Sequence, residues 1–185
     1  MSIQIYKPNK NNTGFAFSFY MTNNHKDESA SLFINAIAQH TWNDQKKIGS
    51  FSGNKDNPDK NISIKFNQFE CGSIISCIEN RYEWNTYHAY EDNKTQIKLS
   101  PWDKVISNTK INQKTKEPYE EKITIPAFGI VITRNGNQVF KIPLEPGEVE
   151  CIKALCQAII LYSCKPISYN KNNKTEVSQE TDYDF

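Results

Sequence analysis

The chain of 185 residues is 37% hydrophobic and 23% charged, which fits one globular domain with a tail and excludes both a pair of independent domains and disorder throughout. No stretch approaches eighteen apolar residues and residues 1–12 lack the apolar segment of a signal peptide, so we expect a cytoplasmic protein. The formal net charge is only +1, but residues 176–185 hold four acidic side chains and no basic ones, which leaves 22 basic against 17 acidic side chains elsewhere. A basic body favours a polyanionic partner.

Alternating apolar residues predict strands in the first half of the chain at 14–22, 31–39 and 62–66. Asn67 then precedes Glu70 by three residues, the spacing of a capping box, so a helix is expected to begin there. Its apolar stripe has helical spacing. The residues of the stripe are Cys71, Ile74, Ile75 and Ile78.

The same order of strands and helix recurs in the second half. Strands are predicted at 82–90, 95–102, 127–133 and 138–144, with a hairpin turn at Asn135-Gly136. Pro146 suits the first position of a second helix, and Glu148 lies 78 residues after Glu70. The stripe of this helix is Val149, Ile152, Cys156, Ile159 and Ile160. We therefore predict an α+β domain over 1–164 built from two related halves, about 1–82 and 83–164.

Two segments have the composition of irregular chain. Residues 104–122 are polar and rich in Lys, so a long mobile loop is expected there. Residues 165–185 are rich in Asn and Lys and then acidic, and we expect a disordered linker and tail.

The hairpin from 84 to 102 carries the strongest functional signal. If Tyr90 lies opposite Lys94, alternation puts rings and cations on one surface. That surface comprises Trp84, Thr86, His88, Tyr90, Lys94, Gln96 and Lys98, continued by Trp102, while Tyr87, Ala89, Thr95, Ile97 and Leu99 face the core. Rings and ammonium groups suit stacked bases and phosphates. A solvated sheet face, in which the rings only raise strand propensity, is equally compatible with the pattern.

A second candidate group is Trp42, Lys46, Lys47 and Phe51. Its lysines could hold a strand of nucleic acid, whereas its two rings could instead anchor a loop to the core.

No catalytic or metal-binding pattern is found. The three histidines and five cysteines do not have metal-ligand spacing, and the sequence contains no phosphate loop or nucleophile elbow. We expect no enzyme activity, no cofactor, no metal and no disulfide, with the cysteines as small buried hydrophobic residues.

The last four residues, Asp182, Tyr183, Asp184 and Phe185, join an aromatic end to acidic neighbours. They could enter an apolar pocket with a basic rim on a partner protein, or they could be a frayed, solubilising end.

Several segments resemble the Whirly superfamily of proteins that bind single-stranded nucleic acid. ECGSIISCIE is similar to the start of a helix in that family, NTYHAY to a strand with two aromatic residues and His, and IKLSP and PLEPGEVECIKALCQAII also match. The resemblance covers residues 13–164. GFAFSFYM stands where plant members have a Lys-Gly-Lys motif, and the acidic tail resembles those of bacterial and phage replication proteins that bind single-stranded DNA.

The resemblance implies two four-stranded antiparallel sheets and two helices, with a strand-strand-strand-strand-helix order in each half. It also implies that Tyr87, His88 and the strand TQIKLSP lie in or beside the nucleic-acid-contacting sheet. We therefore expect a homo-oligomeric protein of phage or bacterial type, in the host cytoplasm if viral. It would coat single-stranded DNA during replication, recombination or repair and recruit partners through its tail. An RNA-binding or transcription-regulatory protein, and a structural or interaction protein, remain alternatives.

Overall fold

The structure is a computed structural model that describes residues 2–23 and 29–164. Within those ranges the chain forms ten β-strands, two α-helices and a short 3-10 turn at Ser52–Asn54. The first seven main elements are β1 (Ser2–Lys7), β2 (Phe15–Asn23), β3 (Ala30–Ala38), β4 (Thr41–Asn43), β5 (Ile48–Ser50), β6 (Asn61–Phe66) and α1 (Gln68–Asn80). The others are β7 (Trp84–Tyr90), β8 (Asn93–Ile111), β9 (Pro118–Arg134), β10 (Gln138–Leu144) and α2 (Pro146–Ser163).

Two large antiparallel sheets form the frame of the molecule. The strand order is β1-β2-β3-β6 in the first sheet and β10-β9-β8-β7 in the second, and a helix follows the last strand of each. The predicted α+β class with two helices is confirmed. The number of sheets was wrong, because β4 and β5 form a third, two-stranded sheet inserted between β3 and β6.

Both helices begin where the sequence predicts. The Asn67 side chain accepts hydrogen bonds from the N–H groups of Phe69 and Glu70, and Glu70 Oε2 accepts one from Asn67 N–H at 3.0 Å. At α2, Glu148 Oε2 accepts from Glu145 N–H at 2.7 Å, and Pro146 occupies the first turn. These bonds satisfy N–H groups that a helix leaves without an internal acceptor.

One core is shared by both halves. The inner faces of the two large sheets and the apolar stripes of both helices meet there, and α1 also packs against α2. Its largest fully buried side chains include Phe17, Phe19, Phe66, Phe140, Ile132 and Ile159. Three cysteines are buried as expected, but Cys151 and Cys164 are exposed, because Cys151 lies on the side of α2 that faces away from the core and Cys164 follows the end of the helix.

The prediction of a mobile loop at 104–122 was wrong. Strands β8 and β9 continue through it as a hairpin, with an unbroken register from Thr95 opposite Arg134 to Ile111 opposite Pro118. Lysine is unfavourable in strands, but side-chain pairs across the two strands offset this. One such pair is Lys110 and Glu121, with 2.6 Å between Nζ and Oε2. The predicted disordered segment at 165–185 lies outside the described residues.

No helix in the described part of the chain is long and apolar enough to cross a membrane.

Candidate nucleic-acid interface

The hairpin of β7 and β8 has a different register from the one predicted. Tyr90 lies opposite Asn93 rather than Lys94, because the turn contains only Glu91 and Asp92. Glu91 makes this tight turn with a φ of 51°, in the left-handed region. A register shift of one residue moves the side chains of one strand to the opposite face relative to the other strand.

The predicted surface is therefore divided between the two faces of the second sheet. Trp84, Thr86 and His88 lie on the inner face, in register with Leu99, Ile97 and Thr95. Tyr90 shares their side but lies beyond the core, 74% exposed. The outer face keeps Lys94, Gln96, Lys98 and Trp102, and gains Tyr87, which the expected register placed toward the core.

The inward residues contact the first half of the chain. His88 Nε2 donates to Glu70 Oε1 at 2.6 Å, Thr86 Oγ1 donates to the same oxygen at 3.4 Å, and Phe66 packs near the rings of both Trp84 and His88. These contacts attach β7 to the N-terminus of α1. Trp84, Thr86 and His88 thus have a structural role at the junction of the halves.

His88 and Tyr90 still line a groove of about 560 Å³ between β6 and β7. Lys65 and Arg134 also border it. The groove contains both rings and cations, but its floor is the half-buried His88 that is bonded to Glu70.

The outer face of the second sheet combines exposed rings with cations. Tyr87 is 57% exposed and lies opposite Gln96. The next row of side chains across the four strands consists of Asn85, Lys98, Val131 and Lys141. Lys94 and the exposed Ala89 form the row beyond Tyr87. Within the described strands none of these rows carries a carboxylate, although Glu83 reaches Lys98 from outside the sheet at 2.6 Å.

Trp102 lies at the other end of this face. Its Nε1–H donates to the carbonyl oxygen of Phe128 at 2.8 Å, which holds the indole ring against β9. Ala127, opposite Trp102 in the register, has no exposed surface, as expected beneath a flat ring. The ring itself remains 38% exposed.

A groove of about 630 Å³ runs past Trp102. Its walls include Lys141 of the second sheet and Lys7 of the first, and Gly129, which has no side chain, also lines it. A Cβ at Gly129 would meet nothing closer than the Ile142 carbonyl oxygen at 4.0 Å, so the floor beside the indole ring is open. The groove therefore offers a ring and the ammonium group of Lys141 to an extended anionic chain, while the ammonium group of Lys7 is paired with Glu148 Oε1 at 2.8 Å.

The outer face of the first sheet provides an internal comparison, since it has the same architecture. Tyr6 is 55% exposed there, and Tyr20 stacks on Phe33 with 5.6 Å between ring centroids. The only lysine that the four described strands place on this outer face is Lys65. The two faces are alike in aromatic content but differ in positive charge.

The second predicted group lies apart from the outer face of the second sheet, and its Phe51 borders the outer face of the first. Trp42 belongs to β4 and donates from Nε1 to Asp44 Oδ1 at 3.0 Å, while the Phe51 ring lies 5.9 Å from that of Tyr6. Lys46 and Lys47 are exposed in the turn between β4 and β5. Trp42 thus bonds within its own hairpin and Phe51 contacts an exposed ring of the first sheet rather than the core, while the lysines project from the end of the hairpin.

Three residues of the groove, Lys141, Lys7 and Gly129, were not predicted from the sequence. Lys141 could have been found, because the alternation of QVFKIPL puts Phe140, Ile142 and Leu144 inward and therefore Lys141 outward. The contribution of Lys7 and Gly129 depends on the packing of the two sheets, which no local pattern reveals. The predicted partner-binding residues Asp182, Tyr183, Asp184 and Phe185 lie outside the described residues.

Comparison with known proteins adds no relative. No family model matches this chain. No curated protein is significantly similar to it. Its function is therefore inferred from the geometry of the site.

Proposed function

We propose that this protein binds single-stranded DNA without strong sequence preference, through the outer face of its second sheet, and that it is not an enzyme. We also propose that the fold is a Whirly-like repeat of four strands and a helix. The sheet orders support that assignment, since each large sheet contains the strands of one half and each helix follows the last strand of its sheet.

The observation that carries the proposal is the composition of that face. Exposed Tyr87 lies near one end of it and Trp102 near the other, with Lys98 and Lys141 in one of the two rows between them and Lys94 beyond Tyr87. Residues two apart on a strand are separated by about 6.8 Å, so the three steps from the row of Tyr87 to the row of Trp102 span about 20 Å. Several nucleotides of an extended strand fit along that distance.

The two kinds of side chain have separate tasks. Each ring can stack on any base, because every base has a π face, and this contributes about 1 to 3 kcal/mol per stacked base. The ammonium groups of Lys94 and Lys141 neutralise phosphates and release counterions, and that of Lys98 does so on leaving Glu83, which it contacts at 2.6 Å. Neither interaction reads base edges, so the binding tolerates any sequence.

A role in replication, recombination or repair is part of the proposal, as is recruitment of partners through residues 182–185. The basic body and the acidic tail of the sequence support both.

The test compares two tyrosines that are equally exposed on equivalent strands. Tyr87 and Tyr6 each lie on the edge strand that begins its half, and their exposures are 57% and 55%. Tyr87→Ala is expected to weaken binding of a fluorescent oligo-dT about fivefold to a hundredfold, the range that corresponds to the stacking energy, and Tyr6→Ala to leave it unchanged. Both variants should unfold at the denaturant concentration of the parent.

Three results would count against the proposal. Unaltered binding by Tyr87→Ala and Trp102→Ala together would remove the second sheet from the site. A loss confined to Tyr6→Ala would move the site to the first sheet and the neighbouring Phe51. Tighter binding of oligo-rU than of oligo-dT under the same conditions would make RNA the ligand, because the 2′-hydroxyl distinguishes the two.

A further inference from the structure

Part of the β8–β9 hairpin extends beyond the rest of the second sheet. The last residue of β8 that pairs with β7 is Leu99, and the first residue of β9 that pairs with β10 is Phe128. We call residues 102–127, which continue past these points, the arm. With ten residues per strand the arm is about 33 Å long. A two-stranded ribbon of this kind is marginal in water without a further strand or a layer beneath it.

The arm exposes large apolar side chains. Val105 and Ile111 are 58% and 67% exposed, and Tyr119 and Ile123 are also exposed. Ion pairs attach only its base to the body, where Asp103 bonds Arg81 and Lys104 bonds Glu145. An exposed apolar ribbon with free edges is a site for pairing with another strand.

The hydrogen-bonding pattern identifies which backbone groups of the arm have no partner among residues 2–23 and 29–164. Asn135 N–H donates to the Lys94 carbonyl at 2.8 Å and Asn112 N–H donates to the Glu117 carbonyl at 2.9 Å. Both bonds lie in the same register, so the even-numbered residues of β8 use their backbone groups within the hairpin. The odd-numbered residues point theirs outward. Beyond Leu99 and Pro101 these are Asp103, Val105, Ser107, Thr109 and Ile111.

The two edges of the arm differ in their capacity to pair. The outward residues of the β9 edge are Pro118, Glu120, Lys122, Thr124 and Pro126. Two of them are prolines, which have no N–H, and the charges between them discourage strand addition. Every outward residue of the β8 edge from Asp103 to Ile111 has an N–H, and those from Val105 onward are uncharged.

We propose that the β8 edge of the arm pairs antiparallel with the same edge of a second copy of this chain, with Ser107 on the two-fold axis. An isologous contact of this kind requires an edge that complements itself. In this register Val105 lies opposite Thr109 of the second copy, and Asp103 lies opposite Ile111 of the second copy.

Charge does not oppose a second copy as the occupant. In the same register Lys104 lies opposite Lys110 of the second copy, and like charges there would oppose pairing. Each already has a carboxylate of its own, because Lys104 bonds Glu145 at 2.7 Å and Lys110 bonds Glu121 at 2.6 Å. The junction therefore brings no unneutralised like charges together.

The two-fold axis is perpendicular to the joint sheet, so each face of the hairpin continues onto the same face of the second copy. Two arms would form one four-stranded sheet, and the outer faces of both second sheets would lie on the same side of it. The inference concerns association alone and does not depend on nucleic-acid binding.

The experiment is light scattering coupled to size exclusion, in reducing buffer so that exposed Cys151 and Cys164 do not cross-link. The parent is expected to have twice the mass of the 21.4-kDa chain at a concentration high enough to populate the pair. Ser107→Pro removes an outward N–H that the hairpin itself does not use, so this variant should have the mass of one chain. Thr124→Pro makes the same change on the β9 edge and should keep the mass of the pair.

A second pair of variants tests the axis without changing the backbone. Ser107→Lys places two ammonium groups opposite each other and should dissociate the dimer, whereas Thr124→Lys should not. Circular dichroism should show the same strand content in all four variants. A monomeric parent, a dimeric Ser107→Lys, or equal dissociation by the Thr124 variants would each overturn the proposal.

Discussion

His88 of the second half and Glu70 of the first half meet through a hydrogen bond of 2.6 Å from Nε2 to Oε1. The other oxygen of Glu70 accepts from the N–H of Asn67 and so closes the cap of α1. Glu148 repeats the arrangement at α2, since one oxygen accepts from Glu145 N–H and the other from Lys7 Nζ at 2.8 Å. Each capping glutamate therefore joins its helix to the first strand of the opposite half.

Removing the Glu70 carboxylate should destabilise the protein. Glu70→Ala leaves Asn67 N–H and the His88 ring without their acceptor, so we expect the free energy of unfolding to fall by about 1 to 2 kcal/mol, measured by urea denaturation. Glu70→Gln keeps an amide oxygen at the site and should lose about half as much. An alanine variant as stable as the parent would show that the cap and the contact between halves contribute nothing.

The salt dependence of DNA binding should show that the lysines of the outer face neutralise phosphates. On single strands the log–log slope of affinity against salt concentration is about −0.7 for each phosphate neutralised. Lys94→Gln and Lys141→Gln should each make the slope less steep by about 0.7 when binding is titrated over a series of salt concentrations. Lys46→Gln, in the turn between β4 and β5, is the control and should keep the parent slope. A change for Lys46 alone would favour the small hairpin as the site.

Replacing each of two glycines by alanine should change the free energy of unfolding in opposite directions. Gly72 lies within α1, where an added Cβ would meet no atom within 4 Å, so Gly72→Ala should raise the free energy of unfolding by about 0.5 to 1 kcal/mol through helix propensity. A Cβ at Gly14 would lie 2.7 Å from Pro8 Cα and overlap the Lys7 carbonyl, so Gly14→Ala should cost about 1 to 3 kcal/mol. Thermal unfolding should show a higher unfolding temperature for Gly72→Ala and a lower one for Gly14→Ala than for the parent. Shifts of both variants in the same direction would contradict the contacts described at these two glycines.

The thiols should react in two classes. Exposed Cys151 and Cys164 should react at once with a thiol reagent at mildly alkaline pH, and Cys151→Ser with Cys164→Ser should abolish that phase. Burial raises the pKa of the Cys77 thiol to about 11, and the nearby Glu83 carboxylate adds to the effect. Cys77 should therefore remain protonated and react only after unfolding. Rapid modification of Cys77 in the folded protein under the same conditions would contradict its burial.

The same thiol gives a pH dependence of stability. The folded state holds the Cys77 proton more tightly than the unfolded state, whose thiol has the ordinary pKa of about 9.0. Between about pH 9 and pH 11 the unfolded chain loses this proton first, so the contribution of Cys77 to the free energy of unfolding falls as pH rises through that window. Cys77→Ala should remove this part of the decline in urea midpoints measured across the same window.

Local patterns were sufficient for most of the fold. Asn67 with Glu70, and Pro146 with Glu148, mark the helix starts because capping depends on neighbours within one turn. Alternation located most of the strands that have one buried face, such as the strand from Phe140 to Leu144, but β1, in which Ile3 and Ile5 alternate in the same way, was not predicted. The arm was missed because a ribbon exposed on both faces has no hydrophobic period to detect.

The candidate site was only partly predictable, because its composition depended on the length of one turn. Counting Asn93 as a turn residue moved Trp84 and His88 to the outer face and Tyr87 to the inner one. Lys94, Lys98 and Trp102 were assigned correctly to one surface because they all belong to β8, where alternation alone decides. Lys7 could not be added without knowledge of how the two sheets pack.

The reciprocal contacts of Glu70 and Glu148 also bear on how such a chain could arise by duplication. A single half-length ancestor would leave its capping glutamate without the opposing strand, unless another molecule supplied it. Two ancestral chains could exchange these contacts between subunits, and fusion of their genes would retain them within one polypeptide. Fragments cut between residues 82 and 83 should accordingly be unstable alone and reassemble when mixed.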